Sequence, residues 1–336
     1  MRSLADLLGL SVMTVSRALR NASDVSPETR RRVLDAAREH GYRPDPVLSA
    51  LNAYRQARAP HRPAKESLAF LTNFPAPDGW KSNDTFQRYF FGAEARANEL
   101  GYQLDPFWVG DPGLTPKRIT QILVQRGVRG LLVGPLAEGN AELKLDWRRF
   151  CAVGLGRSLK TPALTQVCPH HTHVVRLALS HVWRAGYGRV GLLISHPEDE
   201  RTVNAVRTAY VFARHLDETR LAPPLLHGTL ADGDVENWVE RERIDVVFSS
   251  EAKHIAYFAA RPALLRRVRF VNLNVQTGSQ EPGVDQIPDV IGQHAVGLLH
   301  LKLLQRQSGA PAKREIMMID GVWREGRGAW RLRRQE

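Results

Sequence analysis

From residue 66 onward, short apolar runs alternate with longer stretches whose apolar residues recur at helical spacing, and few folds accommodate that alternation. The runs 67–73, 102–109, 130–134, 151–154, 190–195, 245–249 and 269–274 read as buried strands. Between them, 90–100, 116–126, 173–184, 204–215 and 252–260 read as helices. Strands and helices in such succession imply parallel sheets with covering helices, whose ligands sit beyond the carboxyl ends of the strands. The loops that begin at Asn73, Ser195, Ser250 and Asn274 are therefore expected to face one cleft.

The first sixty residues follow a different pattern. Leu4, Leu7 and Leu8 lie at helical spacing, and Gly9 supplies a residue that tolerates positive φ and ends the helix. Ser11 is placed to cap a second helix, with Val15, Ala18 and Leu19 on one face and polar groups on the other. Ser26 as cap and Pro27 at the first position announce a third helix, which runs through Val33, Leu34 and Ala37 to Gly41. Two short helices around a glycine turn, with a third to close the core, read as a helix-turn-helix module.

Charge separates the two regions. Residues 1–65 carry 12 Lys+Arg against 6 Asp+Glu, whereas residues 66–336 carry 35 against 29, so half of the net +12 lies in a fifth of the chain. A small basic segment on a nearly balanced body suggests a headpiece that binds a polyanion. If the second helix enters a major groove, Ser11, Val12, Met13, Thr14, Ser16 and Arg17 lie near its start, where side chains reach base edges or phosphates. Arg17 is the best placed to read guanine, and Arg20, Asn21 and Arg30 complete the candidate DNA-binding set, the arginines as phosphate contacts.

No run approaches the roughly 18 uninterrupted apolar residues of a membrane span, and Asp6 and Arg17 interrupt any secretion signal in the first twenty residues. Cys151 and Cys168, the only cysteines, are too few for a disulfide framework. These features point to a cytoplasmic protein.

With these residues in hand, the sequence resembles the lactose/galactose repressor (LacI/GalR) family. The resemblance is carried by Leu4-Ala5-Asp6-Leu7-Leu8-Gly9-Leu10-Ser11, Thr14-Val15-Ser16-Arg17-Ala18-Leu19, Val25-Ser26-Pro27-Glu28-Thr29-Arg30 and Gly41-Tyr42-Arg43-Pro44. Family members usually carry several more residues before the first helix, and Asn where Arg20 stands. The resemblance implies a small all-α headpiece over 1–43, a hinge helix and linker over 44–65, and an α/β body over 66–336. That body is similar to periplasmic binding proteins, with two Rossmann-like parallel-sheet subdomains, one of about 66–167 and 286–311 and the other of about 168–285 and 312–336. It also implies a homodimer on a pseudo-palindromic operator. In the hinge, Asp45 and Pro46 can start a helix too short to stand alone in water. By position, Leu51 would wedge open a base step in the minor groove, with Ala50 beside it.

In the body, the family's effector-binding arginine falls at Arg207. Glu251 stands where the family has Asn, and Asn274 and Gly156 stand where Asp is common, which argues against an ordinary hexose. Asn73, Phe74, Trp80 and Phe86, in and after the first strand's loop, and Gln286, at the return to the first subdomain, complete the candidate effector set. The histidines His170, His171 and His173 lack further ligands at metal spacing, so no metal or other cofactor is expected. No phosphate-binding loop, dinucleotide fingerprint or nucleophile elbow occurs. An enzyme is therefore a poor fit. The reading is a DNA-binding transcription regulator, most simply a repressor, that answers to a sugar or related metabolite. Its rivals are a solute-binding receptor and a sugar-modifying enzyme on a Rossmann scaffold.

Overall fold

The computed structural model describes residues 5, 7–11, 14–15, 18, 25–40 and 66–326. The expectations placed on Val12, Met13, Ser16, Arg17, Arg20, Asn21, Ala50, Leu51 and the whole 44–65 hinge lie outside the described residues. The chain packs as two units, one built on Met1–Lys65 and one that starts at Glu66.

In the first unit, Gly9 adopts φ +64°, and Leu10 N donates to Ala5 O at 2.9 Å to close the turn. Ser11 Oγ accepts from Thr14 N at 3.0 Å, which starts the second helix. Ser26 Oγ accepts from Thr29 N at 3.2 Å ahead of helix α1 (Pro27–Glu39). Ala5, Val15, Ala18, Val25, Val33, Ala36 and Ala37 are buried together, with Leu8 and Leu10 packed against them. Small side chains at these positions let three short helices approach closely enough to share one core.

The second unit holds two six-stranded sheets. The first has the order β13-β7-β5-β3-β1-β2, with β1 (Glu66–Thr72), β2 (Tyr102–Trp108), β3 (Gly130–Val133), β5 (Cys151–Leu155), β7 (Gln166–Pro169) and β13 (Ile316–Ile319), all parallel. The second has the order β14-β12-β11-β10-β8-β9, with β8 (Val190–Ser195), β9 (Leu225–His227), β10 (Val246–Ser249), β11 (Arg269–Asn272), β12 (Gly283–Asp285) and β14 (Val322–Arg324). Only β14 runs antiparallel to its neighbour there. A two-stranded ribbon of β4 (Ala141–Glu142) and β6 (Leu159–Thr161) stands apart from both. The helices that follow the strands cover both faces, so β1, β3, β5, β8 and β10 read as near-continuous apolar runs. This is the helical module and two-subdomain α/β body that the sequence indicates.

The chain passes between the sheets after Pro169, after Asp285 and after Ile319. The first crossing lies at Pro169, near Val167, because β7 continues its pairing to that residue. One point corrects the sequence reading. The third follows Ile319 rather than Pro311, because Ile316–Ile319 lies along β7 in the first sheet, from Ile316 opposite Gln166 to Ile319 opposite Pro169. The first and third crossing segments therefore leave the sheet side by side, joined by His170 N donating to Ile319 O at 2.9 Å. Beyond them, His170 Nδ1 meets Asp320 Oδ1 at 2.7 Å and His173 Nδ1 lies 3.6 Å from Asp320 Oδ2.

Helix α2 (Asp84–Glu99) packs on the long return helix over 288–305 through two glycines. A Cβ on Gly92 would stand 2.0 Å from Asp289 O, and one on Gly292 would stand 2.2 Å from Tyr89 O. No side chain fits at either point, and this close approach sets where α2 projects its first turn.

Candidate functional site

The carboxyl ends of both sheets open onto one cleft of about 300 Å³. The amino-terminal turn of α2 supplies Asn83, Thr85, Phe86 and Tyr89, and Asn83 Oδ1 accepts from Phe86 N at 3.2 Å to cap that turn. The loop after β5 supplies Gly156 and Arg157, and Gly156 takes φ +69° there, a conformation that suits glycine. From the second subdomain, the short helix α3 (His196–Arg201) supplies Glu198 and Arg201, and the loop after β10 with the start of the helix Ala252–Ala259 supplies Ser250 through Lys253. His171, Asn274 and Gln286 also line it. A larger hollow of about 720 Å³ lies against Thr120, Leu143 and Trp147. Its lining residues all fall between 116 and 162, within one subdomain, whereas the smaller cleft has walls from both and is the candidate site.

Charged groups converge in this cleft. Arg201 Nε lies 3.3 Å from Glu198 Oε2, and its guanidinium carbon stands 5.1 Å from the centre of the Phe86 ring. Burial pushes the Glu198 carboxyl up to about 7 against the pull of Arg201, and the nearby Glu251 carboxylate adds to the rise. Burial also works to raise Glu251, but Ser195 donates to it from N at 2.8 Å and from Oγ at 2.6 Å. Together with Lys253 Nζ at 3.0 Å, these contacts hold it below the usual carboxylate range. His171 is pushed down to about 4 by burial, aided by the Arg157 charge, and is neutral at ordinary pH. The Tyr89 hydroxyl is raised by burial and stays protonated.

Contacts across the cleft tie the subdomains together. Asn274 Nδ2 donates to Thr85 Oγ1 at 3.0 Å, and Thr277 N donates to Asp84 Oδ2 at 3.0 Å. Arg88 forks onto Asp285 at 3.0 and 3.3 Å and reaches Asp289 at 2.6 Å, which fixes α2 to the second crossing. Asp285 itself is only 5 % exposed, so this bidentate pair is well sheltered.

Of the candidate effector residues, Phe86, Glu251, Asn274 and Gln286 line the cleft. Gln286 is largely committed, since its Nε2 donates to Leu273 O at 2.8 Å. The other four lie elsewhere. Asn73 Oδ1 accepts from Ala137 N at 2.9 Å and braces a loop. Phe74 stands behind Phe86, with ring centres 5.5 Å apart. Trp80 is 2 % exposed and packs between Phe70 and Phe90, a core residue and not a stacking surface. Arg207 donates from Nε to the buried Asp199 at 2.6 Å, a carboxylate that also accepts from Asn204 Nδ2 at 2.9 Å. Arg157, His171, Glu198, Arg201 and Lys253 were not singled out as cleft residues by the sequence, although Glu198 and Arg201 stand in a visibly charged run.

The described DNA-binding candidates are Ser11, Thr14 and Arg30. Ser11 and Thr14 bond each other at the helix start, their hydroxyls 2.8 Å apart. Arg30 Nη2 donates to Val25 O at 3.2 Å. Beside the cleft, His227, Glu251 and His254 bring one ligand atom each within 4.8 Å of one another, a set able to hold a cation. The two imidazole Nε2 atoms lie 2.8 Å apart, and His254 Nδ1 meets Ser249 Oγ at 2.7 Å. Burial pushes His254 down to about 4, so the pair is neutral and shares one hydrogen. Among the described residues, no helix is long and apolar enough to cross a membrane.

Comparison with known proteins divides along the same line as the structure. Residues 1–45 match the family model of bacterial regulatory proteins, lacI family. The HTH-type transcriptional regulator AglR of Rhizobium meliloti (strain 1021) is 60 % identical over 51 residues, which is 15 % of this chain and 14 % of that one. The sucrose operon repressor of Escherichia coli is 47 % identical over 60 residues, 18 % of each chain. The matches thus span less than a fifth of these relatives. Over nearly the full length, the fold is similar to that of the Lac repressor bound to ONPG in its repressed state. That likeness has a TM-score of 0.58 and 19 % identity, and covers 96 % of this chain and 97 % of the other.

Proposed function

The amino-terminal module belongs to the lacI family of bacterial regulatory proteins, and on that premise we propose that the chain is a DNA-binding transcription regulator controlled by a small molecule in the cleft. The observation that carries the reading is the family match over residues 1–45, which includes the whole candidate recognition segment from Ser11 to Asn21. The body supplies what such a regulator needs, a cleft with walls from two subdomains joined by three crossings. A ligand that binds the closed arrangement better than an open one shifts the balance between them, and a ligand with equal affinity for both shifts nothing.

In this reading the protein works in the cytoplasm as a homodimer on a pseudo-palindromic site, and represses transcription when bound there. The recognition segment reads bases in the major groove, Leu51 wedges the minor groove, and the arginines supply salt-dependent phosphate affinity. Its effector is a sugar or a related metabolite. Selection of preferred sequences from random duplex DNA tests the reading, followed by mobility-shift titration at moderate salt with and without sugars and related metabolites. A two-fold related site whose affinity changes with one of these supports it. No preference for any duplex overturns it.

A further inference from the structure

We propose that the cleft takes a small organic anion, a carboxylate-bearing polyol of the size of a single sugar acid, with its carboxylate docked on Arg157 and Arg201. This inference rests on the regulator reading above for what binding does, but not for what binds.

Arg157, Arg201 and Lys253 face Glu198 and Glu251 in the cleft. Glu198 is paired with Arg201 at 3.3 Å, and Glu251 with Lys253 at 3.0 Å. Among the described residues, no carboxylate stands within ion-pair distance of Arg157. Its neighbour is the Cys168 thiol, which burial keeps protonated and uncharged. A guanidinium held in a protein-walled cleft without a counter-charge is costly, and an anionic ligand removes that cost.

Arg157 Nε and Arg201 Nη1 are enclosed without an acceptor, and on the same walls His171 Nδ1 and Asn274 Oδ1 also lack partners. Two unanswered guanidinium donors call for an acceptor with several lone pairs, and a carboxylate supplies it. A neutral imidazole nitrogen and an amide oxygen match hydroxyl groups instead. His171 is only 8 % exposed, so its unanswered nitrogen is a requirement of the site and not of the surface. The Arg201 guanidinium carbon stands 5.1 Å from the Phe86 ring centre, a contact that helps hold this side chain in place before any ligand arrives.

A volume of about 300 Å³ equals that of about ten waters at ~30 Å³ each, which suits one sugar acid better than an oligosaccharide. Glu198 and Glu251 do not repel such a ligand as free carboxylates would, because each is already answered within the wall.

Calorimetric titration of the full chain tests this, with D-gluconate and D-glucuronate as probes beside their uncharged counterparts D-glucitol and D-glucose, and inorganic phosphate as a separate arm. At least one acid should bind about tenfold or more tightly than its counterpart, the effect of a charge-assisted contact. Arg157→Gln should erase that preference and Arg157→Lys should keep most of it. If the glutamine variant fails to fold by circular dichroism, the wild-type pairs and the lysine variant still decide. Equal binding of acid and neutral partners, binding of phosphate alone, binding of none of the probes, or an unchanged preference in Arg157→Gln overturns the assignment. The regulatory reading is separated by the mobility shift. Acid binding without any duplex preference keeps this inference and removes that reading, whereas a duplex complex released by glucose but not by acids does the reverse.

Discussion

Glu198 and Arg201 form an ion pair of 3.3 Å on one short helix, inside a cleft where burial outweighs the pairing and holds the carboxyl at about 7. The Glu198 side chain keeps 21 % exposure, but that part lies within protein walls. The folded protein therefore binds this proton more tightly than the unfolded chain, in which the carboxyl has its ordinary value near 4.5.

The consequence for stability follows from linkage. Between about pH 4.5 and 7 the folded state holds the proton that the unfolded state has lost, so this group lowers stability as pH rises and has no further effect above about 7. The size is on the order of 2 kcal/mol once access of water to the cleft is allowed for. Glu198→Gln should flatten that decline. Urea unfolding of both proteins at pH 5 and pH 8 checks it, and an identical pH dependence in the two would refute the assignment.

The glycine pair that joins α2 to the return helix gives a second prediction. At Gly92 and Gly292 the atom in the way is a backbone carbonyl, which cannot rotate aside as a flexible side chain can. Gly92→Ala or Gly292→Ala should cost about 1–3 kcal/mol through forced separation of the helices. In a body of this size that lowers the midpoint by roughly 2–4 °C per kcal/mol. The same substitution at Gly297, where a Cβ meets nothing within 4 Å, should be neutral or stabilising. Thermal unfolding of the three variants decides, and equal effects at all three would contradict the close approach.

Much of this architecture is legible in the sequence because strands buried on both faces announce themselves. Val190–Ser195 and Val246–Ser249 are unbroken runs bounded by helical periodicity, and the structure places both inside a sheet, flanked by strands on each side. The third crossing was misplaced because Ile316–Ile319 is brief and its partner is set by long-range pairing with β7. The site is less legible for a physical reason. Val203 and Asn204 take φ +54° and +59°, and this left-handed step breaks what would otherwise be one helix. It turns Arg201 into the cleft and leaves Arg207 on Asp199. Spacing along a single helix cannot show that exchange. Trp80 was misread in a similar way, since the 3-10 turn Gly79–Ser82 folds it back onto Phe70 and Phe90.

For DNA binding, the proposed regulator reading turns on two side chains named from the sequence, Arg17 and Leu51. Arg17→Ala should cost about 1–3 kcal/mol on the preferred site and relax its sequence preference at one position. Leu51→Ala should weaken binding to that site more than to random duplex, because only the wedge depends on a deformable base step. Mobility-shift titrations against both DNAs separate the two. Equal losses on both DNAs for either variant would reduce that residue to a general contact.

The exchange of arginines yields the last prediction. Asp199 is 3 % exposed and accepts from Arg207 Nε at 2.6 Å and Asn204 Nδ2 at 2.9 Å, while its other oxygen has no partner. Arg207 is 37 % exposed and serves this carboxylate, so its removal leaves a buried charge with one donor fewer. Arg207→Ala should therefore destabilise the body by about 1–3 kcal/mol, with ligand affinity little changed at a temperature where the variant is folded. Arg201→Ala should do the opposite, sparing most of the stability because its partner Glu198 can take up a proton near pH 7, but removing ligand binding. Thermal unfolding paired with calorimetric titration distinguishes the two roles. Loss of ligand binding in Arg207→Ala with an unchanged midpoint would return the effector contact to Arg207.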